Sequence, residues 1–289
     1  MAFYLIQTLN ALSFSVLLML AGLGLAVVLS LMNFVNLTHG SFFLLGSYIA
    51  VYWFSSGMPW WLAFPVAFAA TGAIGFLLDR YPFSSFYERT HLMQVLLTFG
   101  LSVVFADLMR WQFGGDVAAP RIPDVLRGVV FILNIPFPIY RLFMIVFGFL
   151  LAGGLWFLVD RTIWGAVVRA CVTDRKFLET LGINTKTVFT AVLALSAGLG
   201  GVAGALGSGM LAAHPGLDEE VLLLALIVVV VGGLGTFRGT IISALLLGFS
   251  FTFGRVWVPE YSNFIALAVM AALLVLAPQG LVVPKLRRV

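Results

Sequence analysis

A chain of 289 residues that is 62% hydrophobic and 10% charged, with mean hydropathy +1.10, lies far below the roughly 25% charged residues of soluble domains, so it reads as a multi-span membrane protein. Its single cysteine, Cys171, excludes an intrachain disulfide framework and any multi-cysteine metal site. The net charge of +4 is better read as loop asymmetry across a bilayer than as a nucleic-acid patch.

A crossing needs about 20 apolar residues. The first run, Leu5–Met32, is too long for the apolar region of a signal peptide and has no basic residues before it. The interruption Asn33-Phe-Val-Asn-Leu-Thr-His-Gly-Ser41 and a short run, Phe42–Phe54, follow. Trp60–Leu78 and Leu92–Met109 have spanning length. Residues 111–141 contain Pro120, Pro123, Pro136 and Pro138 and read as an external loop; within it Val129–Ile132 suits either a small β-hairpin or a plain connection. Leu142–Val159 spans again, and a charge-bearing segment, 160–187, precedes the span Val188–Ala213. The loop Asp218-Glu-Glu220 leads to two short runs, Val221–Val231 and Thr240–Gly254, separated by Gly232-Gly-Leu-Gly-Thr-Phe-Arg-Gly239. These short runs are two crossings or one re-entrant hairpin. Tyr261–Val283 is the last run. The expected fold is all-α and polytopic, with about eight or nine membrane helices including short and broken ones. The 111–141 loop divides it into halves, each with one broken apolar pair, as a two-half pseudo-repeat would.

Alternating the spans leaves Arg110, Arg121, Arg127, Arg141 and Arg255 on one face and the other eleven of the sixteen Lys and Arg on the opposite face. The positive-inside rule makes the second face cytoplasmic. It carries the C-terminus and the 160–187 segment, and the N-terminus falls outside by the same count. Within that segment Arg161, Arg169, Arg175, Lys176 and Lys186 stand against Asp160, Asp174 and Glu179. Val167, Ala170, Cys171, Asp174, Phe177, Leu178 and Leu181 recur at roughly helical spacing, and Gly182 marks a stop. An amphipathic helix held between spans lies on lipid or docks into a partner.

The two interruptions carry the chemistry available inside the bilayer. Irregular backbone survives there only where protein buries it or water reaches it, and paired interruptions in two halves of a transporter point to a substrate route. Asn33, Asn36, Thr38, His39 and Ser41 supply donors and acceptors; Gly232, Gly233, Gly235 and Gly239 let backbones approach. Tight interhelical turns with glycines for packing are the alternative. His39, with no second His, Cys or carboxylate nearby, reads as a cap or hydrogen-bond partner rather than a metal ligand. The small residues of Gly198–Gly209 suit close helix packing, and Ser208 with His214 lacks a nucleophile elbow. Asp107 and Arg110 form a local pair rather than a proton relay. Buried carboxylates are otherwise nearly absent, which disfavours coupling to an ion gradient. No phosphate-binding Gly-x-x-x-x-Gly-Lys-Ser/Thr loop occurs, so energy enters from elsewhere or the protein is a passive carrier or channel. No cofactor, metal or nucleic acid is expected.

Four blocks in order, Asn33–Tyr48, Arg161–Ala170 continuing through Asp174-Arg175 to Leu181-Gly-Ile-Asn184, Ala197–Gly207 and Val228–Gly239, resemble the permease subunits of ABC importers for branched-chain amino acids, a group that includes urea and short-amide permeases. The resemblance spans nearly the whole chain. It implies one permease domain over 1–289 in a bacterial cytoplasmic (inner) membrane, a second, related permease as heterodimer partner, two separate ATP-binding subunits and a periplasmic substrate-binding protein. ATP hydrolysis then belongs to the partners. Arg161, Gly165, Arg169, Asp174, Arg175, Lys176, Leu181 and Gly182 fall in the segment that would couple to the ATPase. The family often has an acidic residue or alanine where this chain has Ser41, and a lysine before the Gly-Gly-Leu-Gly block where this chain is acidic and then apolar.

Overall fold

The computed structural model describes residues 2–32, 34–87, 89–173, 175–234 and 236–282. Among these, eleven α-helices run α1 (Ala2–Met32), α2 (His39–Ser55), α3 (Ala63–Arg80), α4 (His91–Phe113), α5 (Ile139–Arg161), α6 (Ile163–Thr173), α7 (Arg175–Thr180), α8 (Thr185–Gly207), α9 (Leu217–Gly232), α10 (Phe237–Trp257) and α11 (Ser262–Leu276). Six stretches of helix are long and apolar enough to cross a membrane, containing α1, α3, α4, α5, α8 and α10.

The spans are not equivalent. In α1 and α8, 83% and 78% of the most apolar window is buried within the protein, against 11% in α4. The core is therefore an α1–α8 axis, wrapped by α2, α3, α9 and α10. Small residues explain how it closes. A side chain on Gly201 would strike Thr71 of α3, and one on Gly204 would strike the Phe43 carbonyl of α2. With little hydrophobic drive between helices in lipid, this close approach supplies the packing energy.

The hairpin within residues 111–141 forms: β1 (Val129–Ile132) pairs antiparallel with β2 (Ile135–Pro138). Its two-residue turn, Leu133 and Asn134, has positive φ at both positions, the geometry that matches strand twist. Ala118 and Ala213 exchange backbone hydrogen bonds of 2.8 and 2.9 Å, tying this loop to the α8–α9 connection. That bridge accounts for one boundary difference. The apolar run to Ala213 is helical only to Gly207, because the chain then leaves the helix to meet Ala118. The last run is also shorter than expected: α11 ends at Leu276, before Pro278. Beyond it Leu281 and Val282 donate to the carbonyls of Val231 and Gly232 at 2.9 and 3.2 Å, so the chain returns along the full length of α10.

Contacts sort the connections onto two faces. Arg141 donates to Asn10, and Trp60 meets Phe143 edge-on at 5.4 Å. The N-terminal end of α1, the 56–62 turn, the 114–138 loop and the 208–216 turn therefore share one face. Tyr87 meets Phe189 at 5.6 Å, and a cavity of about 180 Å³ joins Ser30 and Leu31 to Asp160, Arg169 and Phe237. The 81–90 connection, the 160–184 segment and the 232–237 turn lie on the other face. Parity of the spans leads to the same partition.

Candidate functional site

The first interruption is built in layers. Asn36 Oδ1 accepts from the Thr38 amide at 3.0 Å, forming a side-chain turn, and the Thr38 hydroxyl donates to the Thr98 carbonyl at 3.3 Å. Thr98 and Gln94 are the buried residues of the otherwise exposed α4, and Gln94 Oε1 accepts from the Val35 amide at 3.5 Å. Two polar side chains thus pin α4 to the unwound segment. His39 opens α2 with Nε2 3.0 Å from the Ala21 carbonyl. Its ring lies in a slot between two glycines. A side chain on Gly24 would come within 2.6 Å of the imidazole, and one on Gly200 within 3.1 Å. His39 therefore joins α1, α2 and α8 through its packing and a hydrogen bond. No group of three or more His, Cys, Asp or Glu able to hold a metal occurs among the described residues.

The backbone of α9 meets the start of α2. Gly40 packs directly on the Asp218 carbonyl, with room for no side chain. Asp218, expected in an outer loop, is instead in the first turn of α9 and is 3% exposed. A carboxylate is favoured at a helix N-terminus by the aligned peptide dipoles. Tyr48 stacks on Phe113 of α4 with ring centroids 4.4 Å apart. Around this junction Asn36 Nδ2, His39 Nδ1, Ser41 Oγ, Ser47 Oγ, Tyr48 Oη and Asp218 Oδ1 are buried without a hydrogen-bond partner. Each such atom costs about 1–3 kcal/mol, too much for packing alone to explain a concentration of six.

Sequence reasoning missed Ser47, Tyr48 and Asp218. The first two sit within an apolar run, and Asp218 is buried only through its non-local contact with Gly40. Asn33 and Gly235 lie outside the described residues. The other glycines form a separate element. Gly232 and Gly239 touch backbone to backbone, Gly233 turns the chain with φ of +102°, and Thr236 Oγ1 donates to the Gly232 and Gly233 carbonyls at 3.0 and 2.9 Å. The structure does not bring this turn to the Asp218 junction; it sits at the face of the 160–184 segment.

In that segment the described residues form α6 and α7, and a corner separates α6 from α5. The α5–α6 corner is made by Gly165, where any side chain would strike the Val159 backbone, and by Thr162, whose Oγ1 accepts from the Gly165 amide at 3.2 Å. The Arg169 guanidinium donates to the Val159 carbonyl at the end of α5 and lies 3.9 Å from Asp160, capping that helix. Arg161 lies over the Trp156 ring at 5.5 Å. The stop at Gly182 forms, with φ of +80° and the Ile183 amide donating to the Leu178 carbonyl at 3.1 Å. Val168, Cys171 and Leu178 face inward, while Ile163, Phe177 and Leu181 are 85%, 59% and 61% exposed. Asp174 lies outside the described residues, and the side chains of Arg175 and Lys176 are likewise not described.

Two other expectations concern reactive or paired groups. Ser208 donates to the Ala205 carbonyl at 2.8 Å and His214 meets the Pro215 carbonyl at 3.2 Å, so each is satisfied locally and no serine–histidine pair forms. Arg110 and Asp107 make an exposed pair at 3.7 Å.

Comparison with known proteins gives the arrangement its context. The chain is 26% identical to the high-affinity branched-chain amino acid transport system permease protein BraD of Pseudomonas aeruginosa, over 96% of this chain and 95% of that protein. It is 24% identical to LivH, a permease protein of the same kind in Escherichia coli K12, over 96% and 95%. It is 26% identical to a probable branched-chain amino acid transport permease protein, LivH, of Methanocaldococcus jannaschii, over 94% and 90%. No solved structure matches it. The model of the family described as branched-chain amino acid transport system / permease component matches residues 7–274, and the chain belongs to that family.

Proposed function

We propose that this permease is one half of the membrane pore of an ATP-driven importer for a branched-chain amino acid or a solute of similar size and polarity. A second permease completes a heterodimeric pore, two ATP-binding subunits drive it, and a periplasmic binding protein delivers the solute. The membrane is the cytoplasmic one, with the 160–184 segment and the C-terminus inside. The path passes Asn33, Asn36, Thr38, His39 and Ser41, widened here to Ser47, Tyr48 and Asp218. The carrying observation is the concentration of buried, unpartnered polar atoms where α2 and α9 meet. Gly232, Gly233 and Gly239 act as the rigid end of the α9–α10 hairpin that moves with the path.

Coupling runs through the 161–184 segment. Gly165 and Arg169 fix the angle between α5 and α6, Gly182 ends α7, Leu181 with Phe177 presents an apolar surface, and Arg161, Asp174, Arg175 and Lys176 supply the charges of the segment. Closure of the ATP-binding subunits would push this surface and rock α5 and α8. Replacing Asp174, Arg175 and Lys176 together by alanine is expected to abolish uptake and substrate-stimulated ATP hydrolysis while membrane insertion stays intact. Normal uptake in that variant refutes the docking role.

Two buried carboxylates favour a second reading, an ATP-independent carrier: Asp218 and Asp79, the latter accepting from Thr190. They stand at separate junctions, α2–α9 and α3–α8, rather than in a relay. Solute flux through vesicles containing this chain without any ATPase would favour that carrier.

A further inference from the structure

The hairpin of the 114–138 loop has one closed edge and one open edge. The Ile139 amide donates to the Gly128 carbonyl at 3.0 Å, which extends the β1–β2 ladder and fixes its phase. Alternate residues bond across an antiparallel pair. Gly128, Val130 and Ile132 therefore turn their backbone polar groups toward β2, and Val129 and Phe131 turn theirs away. Their partners on β2 are Pro138 and Pro136, which face the other edge and have no N–H to offer. Proline in these places blocks strand addition along β2. Nothing comparable guards β1. Among the described residues the amides and carbonyls of Val129 and Phe131 make no hydrogen bond beyond their own strand, and β2 is the strand that rests against α1 and α5. Phe137 is buried on the supported face of the sheet, whereas Val129 and Phe131, on the opposite face, are 50% and 69% exposed.

An apolar strand with two free N–H and two free C=O groups is poorly covered by lipid, which offers them no partner. Another strand covers both the groups and the side chains. The residues of β1 complement themselves. A twofold axis through Val130 is the one placement that pairs both outward residues within β1: Val129 meets Phe131 of the second copy, and Phe131 meets its Val129. Four backbone hydrogen bonds result, and each phenyl ring lies beside a valine, a favourable cross-strand pair. β1 itself has no charge to hold two copies apart, and the adjacent Arg127 is paired with Asp124 of its own chain at 3.4 Å. The sheet rests on α1 and α5 by its buried face, so the axis can run along the membrane normal, as two copies in one bilayer require. We propose that β1 is a self-pairing edge, through which two copies of this chain join into a four-stranded sheet ordered β2–β1–β1–β2. The inference is independent of the importer reading and adds to it a contact between two copies of this permease.

The test places single cysteines in the full-length chain in proteoliposomes and oxidises them with copper phenanthroline. The wild-type chain, whose only cysteine, Cys171, is buried, is the control and should remain a monomer on a non-reducing gel. Val130→Cys should form a linked dimer, because a residue on the axis faces itself within disulfide reach. Val129→Cys and Phe131→Cys should each stay unlinked alone and link when the two are reconstituted together. Val129→Pro removes an outward N–H without touching the ladder to β2, and added to Val130→Cys it should abolish the link. Val129→Thr keeps that N–H and should preserve the link, which separates lost pairing from a general loss of fold. A Val130→Cys chain that stays monomeric overturns the proposal, as does a link that survives Val129→Pro. Equal linking by all three cysteines overturns it in favour of random collision. A link formed in the assembled importer only to a different chain overturns it in favour of a partner other than a second copy.

Discussion

A histidine ring clasped between two glycines accepts almost no change around it. Enlarging Gly200 to leucine pushes a side chain into the His39 imidazole and Phe42, an overpacking that costs about 1–3 kcal/mol or more. The expected outcome is a lower melting temperature in detergent and weakened uptake. Serine at the same position, whose Cβ would lie 3.1 Å from the imidazole, should cost less than leucine but still melt below wild type. Ser41→Ala and Asp218→Asn belong to a different class. Ser41→Ala removes a buried hydroxyl with no partner in the folded chain, so stability should hold or rise. Asp218→Asn gives up the charge favoured at the α9 N-terminus and should cost about 0.3–1 kcal/mol. In both, uptake should fall by about tenfold or more. A drop in melting temperature alongside unchanged transport would assign both residues to packing. Leu133 offers a change distant from both sites. Its φ of +51° strains a side chain by about 1–2 kcal/mol, and Leu133→Gly should stabilise the hairpin without altering transport, as a thermal melt would register.

Helices were legible wherever an apolar run had nothing to interrupt it, and boundaries failed where tertiary contacts decided them. Ala213 reads as helix from its neighbours, yet its backbone is taken by Ala118. Asp218 reads as loop, yet it is buried because Gly40 lets α9 press against α2. The 160–187 segment reads as one amphipathic helix; the corner at Thr162–Gly165 depends on contacts with α5 that periodicity does not encode. Of the route residues, those in the polar interruption stood out against the apolar background, whereas Ser47 and Tyr48 are ordinary polar positions within a helix. The corner yields its own prediction. Gly165→Val collides with the Val159 carbonyl and must reopen the α5–α6 angle. Insertion should survive, while ATP hydrolysis becomes independent of substrate and uptake is lost. Retained coupling in this variant would show that the angle is not what transmits force.

Across the whole molecule, exposure divides the spans by role. The α1–α8 axis is a rigid centre, while α4 touches the protein mainly through Gln94, Thr98 and its outer end near Tyr48. An apolar span left so open needs lipid or another apolar surface to cover it, and its two polar anchors tie any shift in it to the Asn36–His39 turn. The opposite face carries α6 and α7, on which Ile163, Phe177 and Leu181 are exposed. The account therefore treats the chain as a pore that does no work unaided. Solute flux into proteoliposomes, measured for this chain alone and again with its second permease, ATP-binding subunits and binding protein, tests that most directly. The account predicts no net flux from the chain alone and ATP-dependent accumulation from the assembly; flux of equal rate without the ATP-binding subunits would contradict it.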